Sequence, residues 1–162
     1  MNAARLFITV LAIIFSAQAH AANLAFGPSA RRDSFDIALR AGGHVAPEIE
    51  FEFLSEGKQP DGIPNINRVL MLNTIFTRHI APRLIVFAKV GVNTSRFSTN
   101  GSGNGYHNPG RAGVDLGAGF TYWLTKHLGL RLQTTWMRTE QSDVPQFERF
   151  VLTSAQLVVP LA

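Results

Sequence analysis

The chain has 162 residues, enough for one domain with one core. It has no cysteine, which excludes a disulfide framework and any Cys-based metal site. Lys and Arg number 15 against 11 Asp and Glu, a net charge of +4, yet the charges are spread singly. No basic cluster with interleaved aromatics points to nucleic acid.

Residues 1–21 read as a secretory signal peptide. Arg5 supplies the positive start, Leu6 to Phe15 an apolar stretch, and Ala19-His20-Ala21 a small-x-small cleavage site. The apolar stretch is about ten residues, short of the roughly 20 that a spanning helix needs. Residues 22–162 are then the mature domain. They contain no long apolar run, and the mean hydropathy of the whole 162-residue chain is only +0.08. Alternating strands hide in such an average.

The first candidate strand, Asn23–Phe26, is short and poor, with Pro28–Asp33 as its loop. Ser34–Gly42 alternates clearly: Phe35, Ile37, Leu39 and Ala41 form one face, Asp36, Ala38 and Arg40 the other. Glu48–Leu54 sets Ile49, Phe51 and Phe53 against Glu48, Glu50 and Glu52. A helix would spread those glutamates round its cylinder, so the segment reads as strand. Ile66–Thr77 follows a turn-rich loop, with Leu70, Leu72 and Phe76 opposite Asn67, Asn73 and Thr77. Arg83–Arg96 places Leu84, Val86, Ala88, Val90 and Val92 opposite Ile85, Phe87, Lys89, Gly91 and Asn93.

A Gly-rich loop, Ser98 to Gly110, comes next. Ala112–Leu124 is the clearest strand, with Val114, Leu116, Ala118, Phe120 and Tyr122 against Asp115, Gly117, Gly119 and Thr121. Leu128–Thr139 sets Leu128, Leu130, Leu132 and Trp136 against Gly129, Arg131, Gln133 and Thr135. Phe147–Leu161 ends the series, with Val151, Ala155, Leu157, Val159 and Leu161 on one face.

The connections alternate in length. Gly43-His44-Val45-Ala46-Pro47, Arg78-His79-Ile80-Ala81-Pro82 and Leu124-Thr125-Lys126-His127 are short turns between strands. The connections between those units are long and rich in Gly, Asn, Ser, Pro and Asp. Short turns at one end and long loops at the other are the asymmetry of outer-membrane barrels. The expected fold is all-β: an antiparallel up-and-down transmembrane β-barrel of about eight strands, the first short or degraded. An even strand count favours eight over seven.

Glycines share faces with the charges, as a narrow lumen requires. That places Arg40, Glu50, Glu52, Lys89, Asp115 and Arg131 inside, as a charge network plugging the barrel. A lipocalin-like soluble binder would have the opposite facing. Tyr122 and Trp123 beside a short turn, and Trp136 near the far end of the next strand, fit aromatic girdles at two membrane interfaces.

The run Asp115-Leu116-Gly117-Ala118-Gly119-Phe120-Thr121-Tyr122-Trp123-Leu124-Thr125, then Leu128-Gly129-Leu130-Arg131-Leu132, resembles the penultimate hairpin of the OmpA-like β-barrel family. Ile49-Glu50-Phe51-Glu52-Phe53 resembles its glutamate-bearing strand, and Pro82–Val92 its strand entering the large third loop. The resemblance covers roughly 34–161. It implies a bacterial outer membrane location, with outer-membrane lipid, lipopolysaccharide and the barrel-assembly machinery as partners. It also implies a monomer with a structural or surface-interaction role. It makes Leu157, Val159 and Leu161 the assembly signal, although Leu161 stands where such barrels usually offer an aromatic. No peptidoglycan-binding domain follows, so tethering to the cell wall is not implied.

No cofactor, metal site or catalytic residue is expected. A lipid A-modifying barrel enzyme needs Ser and His on the lipid-facing surface, oriented by an acid. His44, His79 and His127 fall in or beside short turns and His107 in a loop, none beside a Ser on an outward face. Asn100-Gly101-Ser102-Gly103-Asn104-Gly105 has the glycines of a phosphate cradle but no following helix. The Glu48/Glu50/Glu52 ladder suits salt-bridge packing with Arg40 and Lys89 better than a cation.

Overall fold

The computed structural model describes residues 22–29, 34–42, 47–56, 64–99, 111–139 and 149–161. The predicted signal segment 1–21, His44, His107 and the glycine run at 100–105 lie outside the described residues. Eight strands follow in order: β1 (Ala22–Pro28), β2 (Ser34–Ala41), β3 (Glu48–Glu56), β4 (Pro64–Ala81), β5 (Leu84–Thr99), β6 (Arg111–Thr125), β7 (Leu128–Thr139) and β8 (Arg149–Leu161). Each pairs antiparallel with its neighbours, and β8 returns to β1 to close the barrel.

The poor first strand therefore forms. It pairs with β2 from Ala22↔Ala41 to Pro28↔Phe35, and with β8 from Ala22↔Leu161 to Phe26↔Leu157. Without it β2 and β8 would present open edges, which a bilayer does not tolerate. Gly27 permits the close approach of β8. A Cβ there would meet the Ala155 carbonyl oxygen and lie 2.8 Å from Cα of Gln156.

The short turns are tighter than the sequence pattern suggests. Residues Arg78–Ala81 belong to β4, and the connection is only Pro82–Arg83. The next short connection is only Lys126–His127, where the His127 N–H donates to Thr125 Oγ1 at 3.1 Å. Each turn is preceded by a register shift, between His79 and Ala81 and between Trp123 and Thr125. The Trp123 N–H donates to the Arg83 carbonyl at 2.8 Å and ties the two turns together. His79 and His127 are both exposed at this end.

Alternation is obeyed through the wall. Phe35, Leu72, Val92, Leu116, Leu132, Trp136 and Val151 point outward, with Leu116 59% and Val92 57% exposed. Arg40, Glu50, Glu52, Lys89, Asp115 and Arg131 are buried inside. A soluble lipocalin-like barrel has the reverse arrangement. A continuous apolar exterior over a charged interior suits lipid as the outer solvent.

The interior is not polar throughout. Leu54, Val69, Met71, Met137 and Leu152 form an apolar cluster towards the long connections. Ala25, Ala38 and Val158 form another towards the short turns, with Trp123 packed against it. Trp123 is thus an interior residue, which removes it from the expected girdle, whereas Tyr122 and Trp136 are exposed on the outside. Period two explains the difference, since Trp123 follows Asp115, Gly117, Gly119 and Thr121 in facing. Its cross-strand partner Gly129 leaves it room: a Cβ there would lie 3.1 Å from Trp123 Cε3.

Candidate functional site

The charged interior is organised around Glu50. β2 and β3 place Arg40 directly opposite Glu50, so their side chains meet across one pair of strands. Arg40 Nη2 and Nε donate to Glu50 Oε2 at 2.9 and 3.1 Å. Arg131 on β7 crosses the barrel and gives Nη1 to the same oxygen at 3.1 Å. Lys89 Nζ stands 3.6 Å from Glu50 Oε1. One fully buried carboxylate thus gathers three cations.

Glu52, one step along β3, forms the second centre. It takes the ammonium of Lys89 on one oxygen and Gln133 Nε2 on the other at 2.6 Å. Gln133 also donates to Asp36 Oδ2 at 3.3 Å. Asn73 Nδ2 reaches Glu52 Oε2 at 3.5 Å. Arg131 uses its remaining nitrogens on Asn23 Oδ1 at 3.0 Å and Thr121 Oγ1 at 3.4 Å. Buried charges are tolerable only with this kind of pairing, because desolvation otherwise exceeds the attraction.

Phe87 completes the arrangement. Its ring lies 4.4 Å from the Arg40 guanidinium carbon and 5.6 Å from that of Arg131. The ring face attracts both cations. Glycines opposite the large residues supply the space. Lys89 pairs with Gly117 and Phe87 with Gly119. A Cβ on Gly117 would lie 2.7 Å from Lys89 Cε, and one on Gly119 the same distance from Phe87 Cζ. Gly117→Val should therefore displace Lys89 from Glu52 and cost about 1–3 kcal/mol, as overpacking does. Urea titration of the bilayer-inserted barrel measures this; an unchanged midpoint would mean that Lys89 has room to spare.

Of the six charges predicted inside, five meet in one cluster: Arg40, Glu50, Glu52, Lys89 and Arg131. Asp115 faces inward but stands apart. Its contact is Asn93 Nδ2 at 3.4 Å, and it has no ion pair among the described residues. Asp36, Gln133, Asn23, Asn73 and Phe87 complete the cluster and were not singled out from the sequence. Glu48 sits at its margin, 3.5 Å from Arg40 Nε and 3.3 Å from the Thr77 hydroxyl, which donates to it. Chemically, the cations and the facing carboxylate oxygens hold one another, while Asp36 Oδ1, Asn73 Oδ1 and Gln133 Oε1 are buried without a hydrogen-bond partner among the described residues.

The final strand carries Leu157, Val159 and Leu161 on its outer face, with Leu157 and Leu161 exposed and Val159 half-buried. All three lie within or beside the closing seam with β1.

No protein-family model matches the chain, and no curated protein matches it. Solved structures do. The N-terminal β-barrel domain of Pseudomonas aeruginosa OprF superposes with a TM-score of 0.68 at 10% identity, covering 87% of this chain and 96% of that one. Neisserial surface protein A, NspA, gives 0.65 at 13% identity over 86% and 94%. Ail, the attachment invasion locus protein of Yersinia pestis, gives 0.56 at 8% identity over 86% and 93%. The fold is that of the small eight-stranded outer-membrane barrels, the OmpA-like architecture. At these identities the likeness is one of fold.

Proposed function

We propose that this chain is a non-catalytic outer-membrane protein that acts as a structural or surface-interaction barrel, its lumen plugged by its own charged side chains. The observation that carries this reading is Glu50, fully buried and bound by Arg40 and Arg131 with Lys89 beside it. Eight strands leave an interior only wide enough for side chains, and three cations gathered on one carboxylate occupy it here. The exposed apolar wall supports residence in lipid, and the fold shared with OprF, NspA and Ail supports the bacterial outer membrane as that lipid. Export by the segment 1–21, folding by the barrel-assembly machinery and a monomeric state belong to the same reading.

Planar-bilayer recording tests the plug. The folded chain is expected to show no steps of an open pore, whereas large, long-lived conductance steps would overturn it. Comparison of lipid A mass profiles from cells with and without the gene tests the absence of catalysis. A change in acyl number or headgroup would establish a lipid A-modifying enzyme instead.

The end of the chain gives a further expected result. Removing Val158–Ala162 deletes most of the β8–β1 seam, so assembly should fail on structural grounds alone. Leu161→Phe is the discriminating change, because Leu161 is outward and exposed. It restores the aromatic expected of an assembly signal and should raise the heat-modifiable, folded fraction in cells. An unchanged or lower yield would show that assembly does not read this position.

A further inference from the structure

On the outer face of β7 and β8 the paired side chains run, from the short-turn end upward, Leu130↔Leu157, Leu132↔Ala155, Thr134↔Thr153, Trp136↔Val151 and Arg138↔Arg149. The apolar surface thus ends in two arginines directly opposite each other. Both are exposed, and neither has an ion pair among the described residues. Like charges facing each other across strands repel. The repulsion becomes an advantage when an anion lies between them, and two guanidinium forks match a phosphate well.

Lower on the same strands the wall is dented. A groove of about 560 Å³ lies over the small side chain of Ala155, bounded by Phe26, Phe35, Phe120, Leu132 and Leu157. Its side walls are aromatic and aliphatic, and it opens to the outside of the barrel. From Arg149 to Ala155 the chain advances six residues. At about 3.3 Å each and roughly 40° tilt, that is ~15 Å of depth, about half of the ~30 Å hydrocarbon core. One lipid of a single leaflet spans that depth from phosphate to chain.

We propose that this strip binds one phosphorylated lipid of the leaflet facing the long connections, its phosphate between Arg138 and Arg149 and an acyl chain in the groove over Ala155. The Thr134–Thr153 hydroxyl pair, 3.0 Å apart, lies between the two subsites, one hydroxyl donating to the other. The proposal rests on the membrane reading given above.

Native mass spectrometry of the full chain, refolded in detergent, tests it with three probes: bis-phosphorylated lipid A, its dephosphorylated form and inorganic phosphate. A one-to-one adduct is expected with the phosphorylated lipid. The dephosphorylated lipid should be retained roughly tenfold less, the effect of losing charge-assisted hydrogen bonds. Inorganic phosphate alone should give no adduct, because it lacks the chain. The double variant Arg138→Gln/Arg149→Gln should erase the preference for phosphate. Ala155→Phe fills the groove and should weaken retention of both lipids while leaving the preference. Equal retention of the two lipids by the parent chain, or a preference untouched by the double variant, overturns the site, as does an inorganic phosphate adduct. Heat-modifiable gel mobility reports the membrane barrel separately. Its loss in the parent chain sinks the membrane reading, while a folded parent indifferent to phosphate sinks only the lipid site.

Discussion

Glu50→Ala should destabilise the folded barrel by about 3–5 kcal/mol, the cost of leaving buried charge without its partner. Arg40 and Arg131 both bond to one of its oxygens, at 2.9 and 3.1 Å, and Lys89 stands 3.6 Å from the other. Without that carboxylate, the two guanidiniums remain beside the Phe87 ring and lose the one anion they share. Lys89 keeps Glu52, and Arg40 keeps Glu48 at 3.5 Å, so the loss is severe rather than total. Glu50→Gln preserves shape and removes charge, and should fall between parent and alanine. Asp115→Ala is the internal comparison. Asp115 is equally buried but meets only Asn93 among the described residues, so its removal strands no cation. Urea unfolding from bilayers, followed by fluorescence of Trp123 and Trp136, measures all three. Equal losses for Glu50→Ala and Asp115→Ala would mean that Glu50 is not the centre of the network.

The facing of these residues was readable from alternation, because a side-chain period of two survives tilt and closure. Which acid meets which base was not. Arg40 and Glu50 became partners through the β2–β3 register, and Arg131 reaches Glu50 from 81 residues away. Strand stagger fixes such meetings, and stagger leaves no mark in local sequence. It also explains the separation of Asp115, which has the right facing but lies opposite Gly91 and Met137 rather than beside a base. Phe87 was on an inward face in plain view. Its role as a platform for two arginines depends on Gly119, whose meaning appears only when the strands are paired. Local propensity undervalued β1, a strand of seven residues with Gly27 and Pro28, because the demand of β2 and β8 for a partner outweighs it. Trp123 shows the converse error. Nearness to a turn suggested a girdle, although its own parity already pointed inward.

The outer wall gives the second large effect. Leu132 is exposed on the outside of β7, about five residues beyond His127 in the short turn. At about 3.3 Å per residue and roughly 40° tilt, it stands ~13 Å above that turn, near the middle of an apolar band ~25 Å tall. Leu132→Arg should then cost about 2–4 kcal/mol, the value for a cation at the bilayer midplane. Leu130→Arg lies one outward step nearer the turn and should cost less, since the long side chain can reach the headgroups. Thr125→Arg, at the turn itself, should cost about 0–1 kcal/mol. The decisive quantity is the gradient. Water outside the barrel would make all three similarly mild, and a purely steric effect would follow side-chain crowding rather than depth. Refolding titrations into bilayers of matched thickness, with the three variants side by side, read that gradient directly. A flat profile would sink the assignment of this face to lipid, and with it the lipid site above.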